Sequence, residues 1–392
     1  MNNMITISAY GMVNALGNTL DEIAENLSTG HAPGMKTSHD WLIDNTPLTV
    51  GTVTGTLPEV PAQLIAHRSR NNRLLLAALT QMSQQVNDAL TTYHPSRIAV
   101  ILGTSTSGLD EGDRYLSQAE QHKATDQWHY TQQELGDPAR FLSQYLGTQG
   151  PAYTISTACS SSGRAIISGA RLMNAGLVDV AIVGGADSLS RMPINGFDSL
   201  ASLSKERCQP FSQNRQGITI GEGAGLMLLT RDNGSLRLLG YGESTDAYHI
   251  SAPHPEGKGA ITAINQALRQ AALMPQDIGY INLHGTATPL NDEVESSVIN
   301  RIFGETVPCS STKHLTGHTL GSASIIEASL CALILERDLD LPYQDFSRSS
   351  QDPTLKSCGL LTTPKSLAKK TLLSTSFAFG GNNTCLIIGG LS

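Results

Sequence analysis

The chain has 392 residues, of which 40% are hydrophobic and 37 are glycine, and its net charge is −8. That length could hold two or three average domains, but large α/β proteins often run this long as one body, and the glycines suit tight turns. The acidic balance argues against a general nucleic-acid binder, whose affinity rests on phosphate neutralisation, and no apolar run approaches the ~20 residues needed to span a bilayer. The start, Met1-Asn2-Asn3-Met4, lacks a basic segment followed by an apolar one, so no signal peptide is expected. Six scattered cysteines, with no C-x-x-C pair and no metal-ligand spacing, read as reduced thiols and predict a cytoplasmic protein.

Along the chain, short β-like runs alternate with helical ones, the pattern of a mostly parallel layered sheet. Arg68, Arg70 and Arg73 cluster at the start of a helix over 74–79. An apolar strand over 98–102 closes in Gly103-Thr104-Ser105-Thr106. Residues 107–148 hold little β signal and many polar side chains, which predicts an inserted helical cap facing a dimer partner. A β-rich run (Ala152, Tyr153, Ile155) then enters Thr157-Ala158-Cys159-Ser160-Ser161-Ser162-Gly163, and a helical pattern (Ala165, Ile166, Gly169, Leu172, Met173) leaves it. A cysteine between a strand and a helix N-terminus sits among unpaired N–H groups that favour thiolate, so Cys159 suits a nucleophile. Taken alone, a buried cysteine beside serines is as readily core filler.

Further on, Lys205 and Arg207 follow the Leu203-Ser204 turn, and the glycines of 221–225 run into an apolar strand that ends at Arg231-Asp232-Asn233-Gly234. Ile281-Asn282-Leu283 reads as a buried strand ending in His284, followed by Gly285-Thr286-Ala287-Thr288. Lys313-His314-Leu315-Thr316-Gly317-His318 follows a short β run over 307–311 and opens a small-residue helix over 320–336. A nucleophilic cysteine needs an acid/base partner or electrophilic stabiliser on a rigid scaffold, and Cys159, His284 and His318 make a Cys–His–His set. Two internal echoes point to a duplicated half. The turn at 103–106 matches that at 285–288, and 221–225 before its strand matches 380–383 before Cys385-Leu386-Ile387-Ile388.

With these motifs in this order, the chain resembles the elongating β-ketoacyl-acyl-carrier-protein synthases, ketosynthases of the thiolase superfamily. The matching pieces run from Met4-Ile5-Thr6-Ile7 to Ile387-Ile388. They include Gly184-Gly185-Ala186, Pro210-Phe211, Gly221-Glu222-Gly223-Ala224-Gly225 and Phe377-Ala378-Phe379-Gly380-Gly381-Asn382-Asn383. The resemblance implies a thiolase-like α/β fold of two pseudo-symmetric βαβαβ halves, residues 1–232 and 233–392, in a five-layered α-β-α-β-α arrangement. It implies an acyltransferase that joins a malonyl unit to an acyl chain held on Cys159, with loss of carbon dioxide. His284 and His318 would stabilise the enolate, Lys313 and Glu327 would support them, and the N–H groups of Cys159 and Phe379 would form an oxyanion hole in a gate shared with Phe377 and Gly380. No cofactor and no metal is called for.

The implied partners are acyl- and malonyl-loaded acyl carrier protein, docking on Arg68, Arg70 and Arg73 or on Lys205 and Arg207, and a second subunit. That subunit is either a copy of this chain or a chain-length-factor-like protein. Ser212, Gln216, Ala378 and Asn382 depart from the common pattern, and Ala378 predicts a stiffer gate. The departures suggest a specialised type II polyketide or aryl-polyene enzyme; the alternatives are housekeeping fatty-acid elongation and a non-catalytic chain-length factor. Retention of Cys159 argues against the last. A degradative thiolase would need a second cysteine in the turn at 377–383, and an initiating ketosynthase would carry asparagine where His318 stands.

Overall fold

Ten apolar runs pair into a single sheet in a computed structural model that describes residues 4–123 and 128–390. Met1 to Asn3 and residues 124–127 of the expected insertion lie outside the described residues. The strands are β1 (Ile5–Val13), β2 (Ile98–Gly103), β3 (Ala152–Ile155), β4 (Val180–Asp187), β5 (Gly223–Thr230), β6 (Leu236–Thr245), β7 (Tyr280–Asn282), β8 (Cys309–Ser310), β9 (Thr371–Phe377) and β10 (Asn382–Gly390). Their order across the sheet is β3-β2-β4-β5-β1-β6-β10-β9-β7-β8. Each strand therefore has its counterpart five strands later, mirrored about the centre. β1 and β6 meet through only two residue pairs, Ile5 with Leu238 and Thr6 with Arg237, so the sheet divides into two five-stranded halves.

The echoes read in the sequence fall on equivalent places. The turn at 103–106 follows β2 and that at 285–288 follows β7, while the glycine runs enter β5 and β10. The expectation of a mostly parallel sheet needs correction. β2 runs parallel to β3 and β4, and β7 to β8 and β9, but β4–β5, β5–β1, β9–β10 and β10–β6 are antiparallel. Strands β5 and β10 are apolar on both faces, as in a parallel sheet, because helices cover both sides of them.

The helices that matter for the site are α1 (Arg70–Thr80), α2 (Leu109–Glu120), α3 (Asp137–Leu146), α4 (Ser161–Asn174), α5 (Arg191–Ser199), α6 (Lys258–Ala271), α7 (Pro289–Phe303) and α8 (Ala323–Arg337). α4 and α8 pack on each other between the two half-sheets; α1 and α3 cover the outer face of one half and α6, with α7 against it, the other. That is the five-layered order. α8 has no polar stripe: Ala323 to Leu335 are all buried, as a helix inside a layered core must be. α4 comes so close to α8 and β10 that a Cβ on Gly163 would lie 2.8 Å from Thr384 Oγ1 and 2.9 Å from Ser324 Oγ.

Within the expected insertion, α3 buries Phe141 and Leu142 in the core of its half and belongs to the outer layer rather than to a cap. α2 is the exposed part, lying beside α5.

Because α8 serves both half-sheets, trimming it should weaken the whole molecule. Leu330 is fully buried on it. Leu330→Ala should cost about 2–5 kcal/mol, seen as a lower urea midpoint with an unchanged m-value. A loss below ~1 kcal/mol would mean the central layer is not the shared core.

Candidate active site

Cys159 stands in a strained turn between β3 and α4. Ala158 before it has φ +53, a left-handed conformation that a non-glycine residue holds only when its surroundings fix it. The serines that follow do the fixing. Ser160 Oγ donates to the Thr157 carbonyl (2.8 Å), Ser161 Oγ donates to the Ala158 carbonyl (2.6 Å) and accepts the Thr157 N–H (2.8 Å), and Ser162 Oγ accepts the Ile325 N–H of α8 (3.0 Å). The serine run thus ties the cysteine turn to both central helices.

His284 follows β7 and His318 follows the short turn after Lys313. Their rings meet edge to face with centroids 5.5 Å apart, and one ligand atom from each of Cys159, His284 and His318 lies within 4.8 Å of the other two. The tautomers follow from the neighbours. His318 Nδ1 accepts the Leu320 N–H (3.0 Å), and His284 Nδ1 faces Lys313 Nζ (3.3 Å), an ammonium that can only donate. Both neutral rings therefore carry their proton on Nε2. A metal-binding histidine shows the opposite pattern, with its outer nitrogen donating to a carboxylate or carbonyl, so this set is arranged to donate N–H groups rather than to ligate an ion.

Burial pushes both imidazoles well below their ordinary value, and the Lys313 charge adds to that, so they stay neutral near pH 7. Lys313 is itself buried and pairs with Glu327, which projects from the otherwise apolar α8. Burial pushes the Glu327 carboxyl up to about 7 against the pull of Lys313.

The expectation that a helix N-terminus makes Cys159 a thiolate is not met. Burial pushes the thiol up to about 11, outweighing Lys313 and the backbone N–H groups of Phe379 and of Cys159 itself, all of which favour the anion. Both N–H groups thus act on the sulfur. The loop that carries Phe379 turns on Gly380 (φ +78) and Gly381 (φ +71). Ala378 has an ordinary extended backbone (φ −89, ψ 156), so alanine imposes no strain there.

A cavity of about 350 Å³ opens beside the sulfur, lined by Phe197, Leu200, Ile218, Thr286, Leu290, Phe377 and Phe379 among others. Phe197 of α5 and Phe379 pack on each other at its wall, with ring centroids 5.6 Å apart and the planes tilted.

The five cations expected to dock a partner lie apart from this cluster and are engaged within the chain. Arg70 grips buried Glu222 through Nε (2.7 Å) and Nη2 (2.5 Å); Arg73 donates to the Leu57 and Pro58 carbonyls and pairs with Glu59. Arg68 reaches Glu59 (3.6 Å), Lys205 pairs with Asp198, and Arg207 donates to the His314 carbonyl. Arg70, Arg73 and Arg207 thus hold the fold together rather than presenting charge.

Sequence reasoning missed the buried carboxylates. Glu295 accepts the N–H groups of His284 (2.8 Å) and Gly285 (2.7 Å), and Asp292 those of Phe211 (2.8 Å) and Ala287 (3.2 Å). Burial pushes them up to about 7 and about 6. The available signal was their i, i+3 spacing on the first turns of α7, directly after the histidine turn.

Comparison with known proteins agrees with this geometry. The N-terminal domain model of β-ketoacyl synthases matches residues 2–234, and the C-terminal domain model matches 236–346. Nodulation protein E of Rhizobium leguminosarum bv. trifolii is 30% identical over 86% of this chain and 87% of its own length. A mitochondrial 3-oxoacyl-[acyl-carrier-protein] synthase of Arabidopsis thaliana is 35% identical over 64% of this chain, a stretch that spans only 59% of that relative. Among solved structures, a ketosynthase in complex with its chain length factor from Xenorhabdus doucetiae is 61% identical, with a TM-score of 0.98, covering 99% of this chain and 98% of that one.

The raised thiol has a direct test. Alkylation of Cys159 by iodoacetamide should keep accelerating with pH up to about pH 10. Lys313→Met should slow it roughly tenfold at pH 8, because an opposite charge at this range shifts a group by ~1 unit or more. A rate that levels off between pH 7 and 8 would show a thiolate already present.

Proposed function

The chain belongs to the β-ketoacyl synthase family, and on that premise we propose that it condenses an acyl chain held on Cys159 with a malonyl unit delivered on acyl carrier protein. The observation that carries this reading is the pair of neutral Nε2–H donors beside a thiol and two backbone N–H groups. In the first half-reaction the Cys159 sulfur attacks the acyl thioester, and the carrier sulfur leaves with the thiol proton. The N–H groups of Cys159 and Phe379 take the oxyanion.

In the second half-reaction the malonyl carboxylate departs as carbon dioxide, and its bonding pair becomes an enolate whose oxygen meets His284 and His318. Their neutrality matters, since a charged imidazolium would bind the malonyl carboxylate in the ground state as well as the enolate. The enolate carbon attacks the acyl carbonyl and expels Cys159 as thiolate, which takes a proton from solvent. Lys313 and Glu327 hold His284 in the donating tautomer, and Phe377, Phe379 and Gly380 form the gate.

We place the enzyme in the cytoplasm, in a specialised type II polyketide pathway of the aryl-polyene kind, partnered by a chain-length-factor-like subunit. The likeness to a ketosynthase that assembles with a chain length factor supports this, and the six free, buried cysteines fit a reducing compartment. Among the described residues no helix is long and apolar enough to cross a membrane. The two halves are taken to join near Asp232. Carrier docking falls to the more exposed Arg68 and Lys205 rather than to Arg70.

Cys159→Ala should accept no acyl group from acyl carrier thioesters by intact mass. His284→Ala and His318→Ala should still become acylated but release carbon dioxide from malonyl carrier protein ~100–1000-fold more slowly. Near wild-type decarboxylation in either histidine variant would sink the enolate assignment. For the partner, native mass spectrometry of this chain co-expressed with a nucleophile-free homologue should give a heterodimer. A homodimer that elongates saturated chains unaided would favour the housekeeping reading.

A further inference from the structure

Asp187, the last residue of β4, is fully buried, and among the described residues no ion pair reaches it. Hydrogen bonds surround it instead. Its Oδ1 accepts the Ser105 N–H (2.8 Å), the Thr106 N–H (2.7 Å), the Thr106 hydroxyl (2.7 Å) and the Thr104 hydroxyl (2.9 Å) from the turn after β2. Its Oδ2 reaches across to the other half of the molecule and accepts the Ser322 N–H (3.0 Å). The approach is tight, since a Cβ on Gly321 would lie 2.8 Å from that same oxygen.

The turn it holds contains Leu320, whose φ of +50 is a left-handed conformation that bulky side chains avoid. The chain is held on both sides, so φ of Leu320 can change only as ψ of Thr319 counter-rotates, and that turns the Thr319–Leu320 peptide whose N–H meets His318 Nδ1 at 3.0 Å. The same Ser322 N–H also donates to the Thr319 carbonyl (3.1 Å), and Ser322 Oγ donates to the Thr319 carbonyl (2.8 Å) and the Gly223 carbonyl (3.2 Å). A strained backbone persists when its surroundings over-determine it, and a carboxylate anchored by four donors on one side is a rigid anchor for the fifth.

We propose that Asp187 is a positioning residue for His318: it clamps the Thr319–Ser322 turn so that strained Leu320 keeps its N–H on Nδ1 and the proton on Nε2. Without the clamp, Leu320 relaxes to negative φ, the Thr319–Leu320 peptide turns with it, and its N–H leaves the ring. His318 can then carry its proton on Nδ1 and present a lone pair, not a donor, to the cavity. The inference rests on the reading of His318 as an enolate-stabilising donor.

The test compares Asp187→Asn in the natural chain with Asp187→Asn in a Leu320→Gly background, since glycine adopts the left-handed conformation without strain. In the natural chain, Asp187→Asn should slow malonyl decarboxylation roughly 10- to 100-fold. Acylation of Cys159 should stay within a few-fold. Nitrogen-15 spectra of His318 should change from a single Nε2–H form to a mixture of tautomers. In the glycine background the same substitution should cost less than about threefold. A single variant that fails to fold while the double variant folds and decarboxylates would support the clamp equally.

Equal losses in both backgrounds, failure of both to fold, or an unchanged tautomer would overturn it. The His318→Ala variant separates the two ideas. If it decarboxylates normally, the enolate reading fails, yet the tautomer measurement still decides the role of Asp187.

Discussion

The buried ammonium of Lys313 is the charge on which the rest of the site depends. Removing an ion from water costs several kcal/mol even after relaxation, so a lysine here needs a partner at once. Glu327 supplies it from α8, a helix whose other inward positions are apolar or small. The pair then acts on three neighbours. Lys313 supplies the donor that fixes His284 as an Nε2–H tautomer, adds to the burial that keeps both imidazoles neutral, and favours the Cys159 anion against a burial penalty that still wins. One cation thus serves opposite needs, a donor-ready imidazole and an ionisable thiol, because both benefit from nearby positive charge.

The duplication explains how these groups come together. Two copies of a five-stranded unit meet with their inner helices face to face, and the turns at equivalent strand ends converge on one point. The sequence shows this plainly where glycine and threonine mark the turns, at 103–106 and 285–288, since turn chemistry is local and survives without tertiary context. Cys159 and His284 were readable for the same reason, each standing in a turn just beyond a strand, and His318 follows the helical turn Lys313–Thr316 after β8. Strand direction was not readable. β5 and β10 are continuous apolar runs, and an antiparallel strand covered on both faces has the same composition as a parallel one.

What escaped the sequence is mostly charge. Asp187, Asp292 and Glu295 look like solvated acids in a chain of 34 carboxylates, and only the fold shows them accepting backbone N–H groups in the core. A cluster of three arginines reads as a basic face, and within the chain Glu222, Glu59 and two carbonyls engage two of them, Arg70 and Arg73. The thiol is the third case. A helix N-terminus lowers a cysteine that faces water, but here the same turn also lies in the middle layer, where desolvation dominates.

Phe379 joins substrate access to chemistry. Its N–H favours charge at the Cys159 sulfur, while its ring packs on Phe197 at the cavity wall. Both belong to one residue beside two glycines with positive φ, and the loop is tied to its neighbour by Gly380 N–H to the Ile250 carbonyl (2.7 Å) and Asp246 N–H to the Gly381 carbonyl (2.8 Å). A movement of this backbone that separates the two rings also displaces the N–H from the sulfur. For the acyl transfer proposed above, donor and cavity wall are thus set by one backbone segment, so the closed cavity is also the one that shuts out bulk water. The small side chain of Ala378, in an unstrained extended conformation, leaves that coupling to the glycines and the aromatic pair.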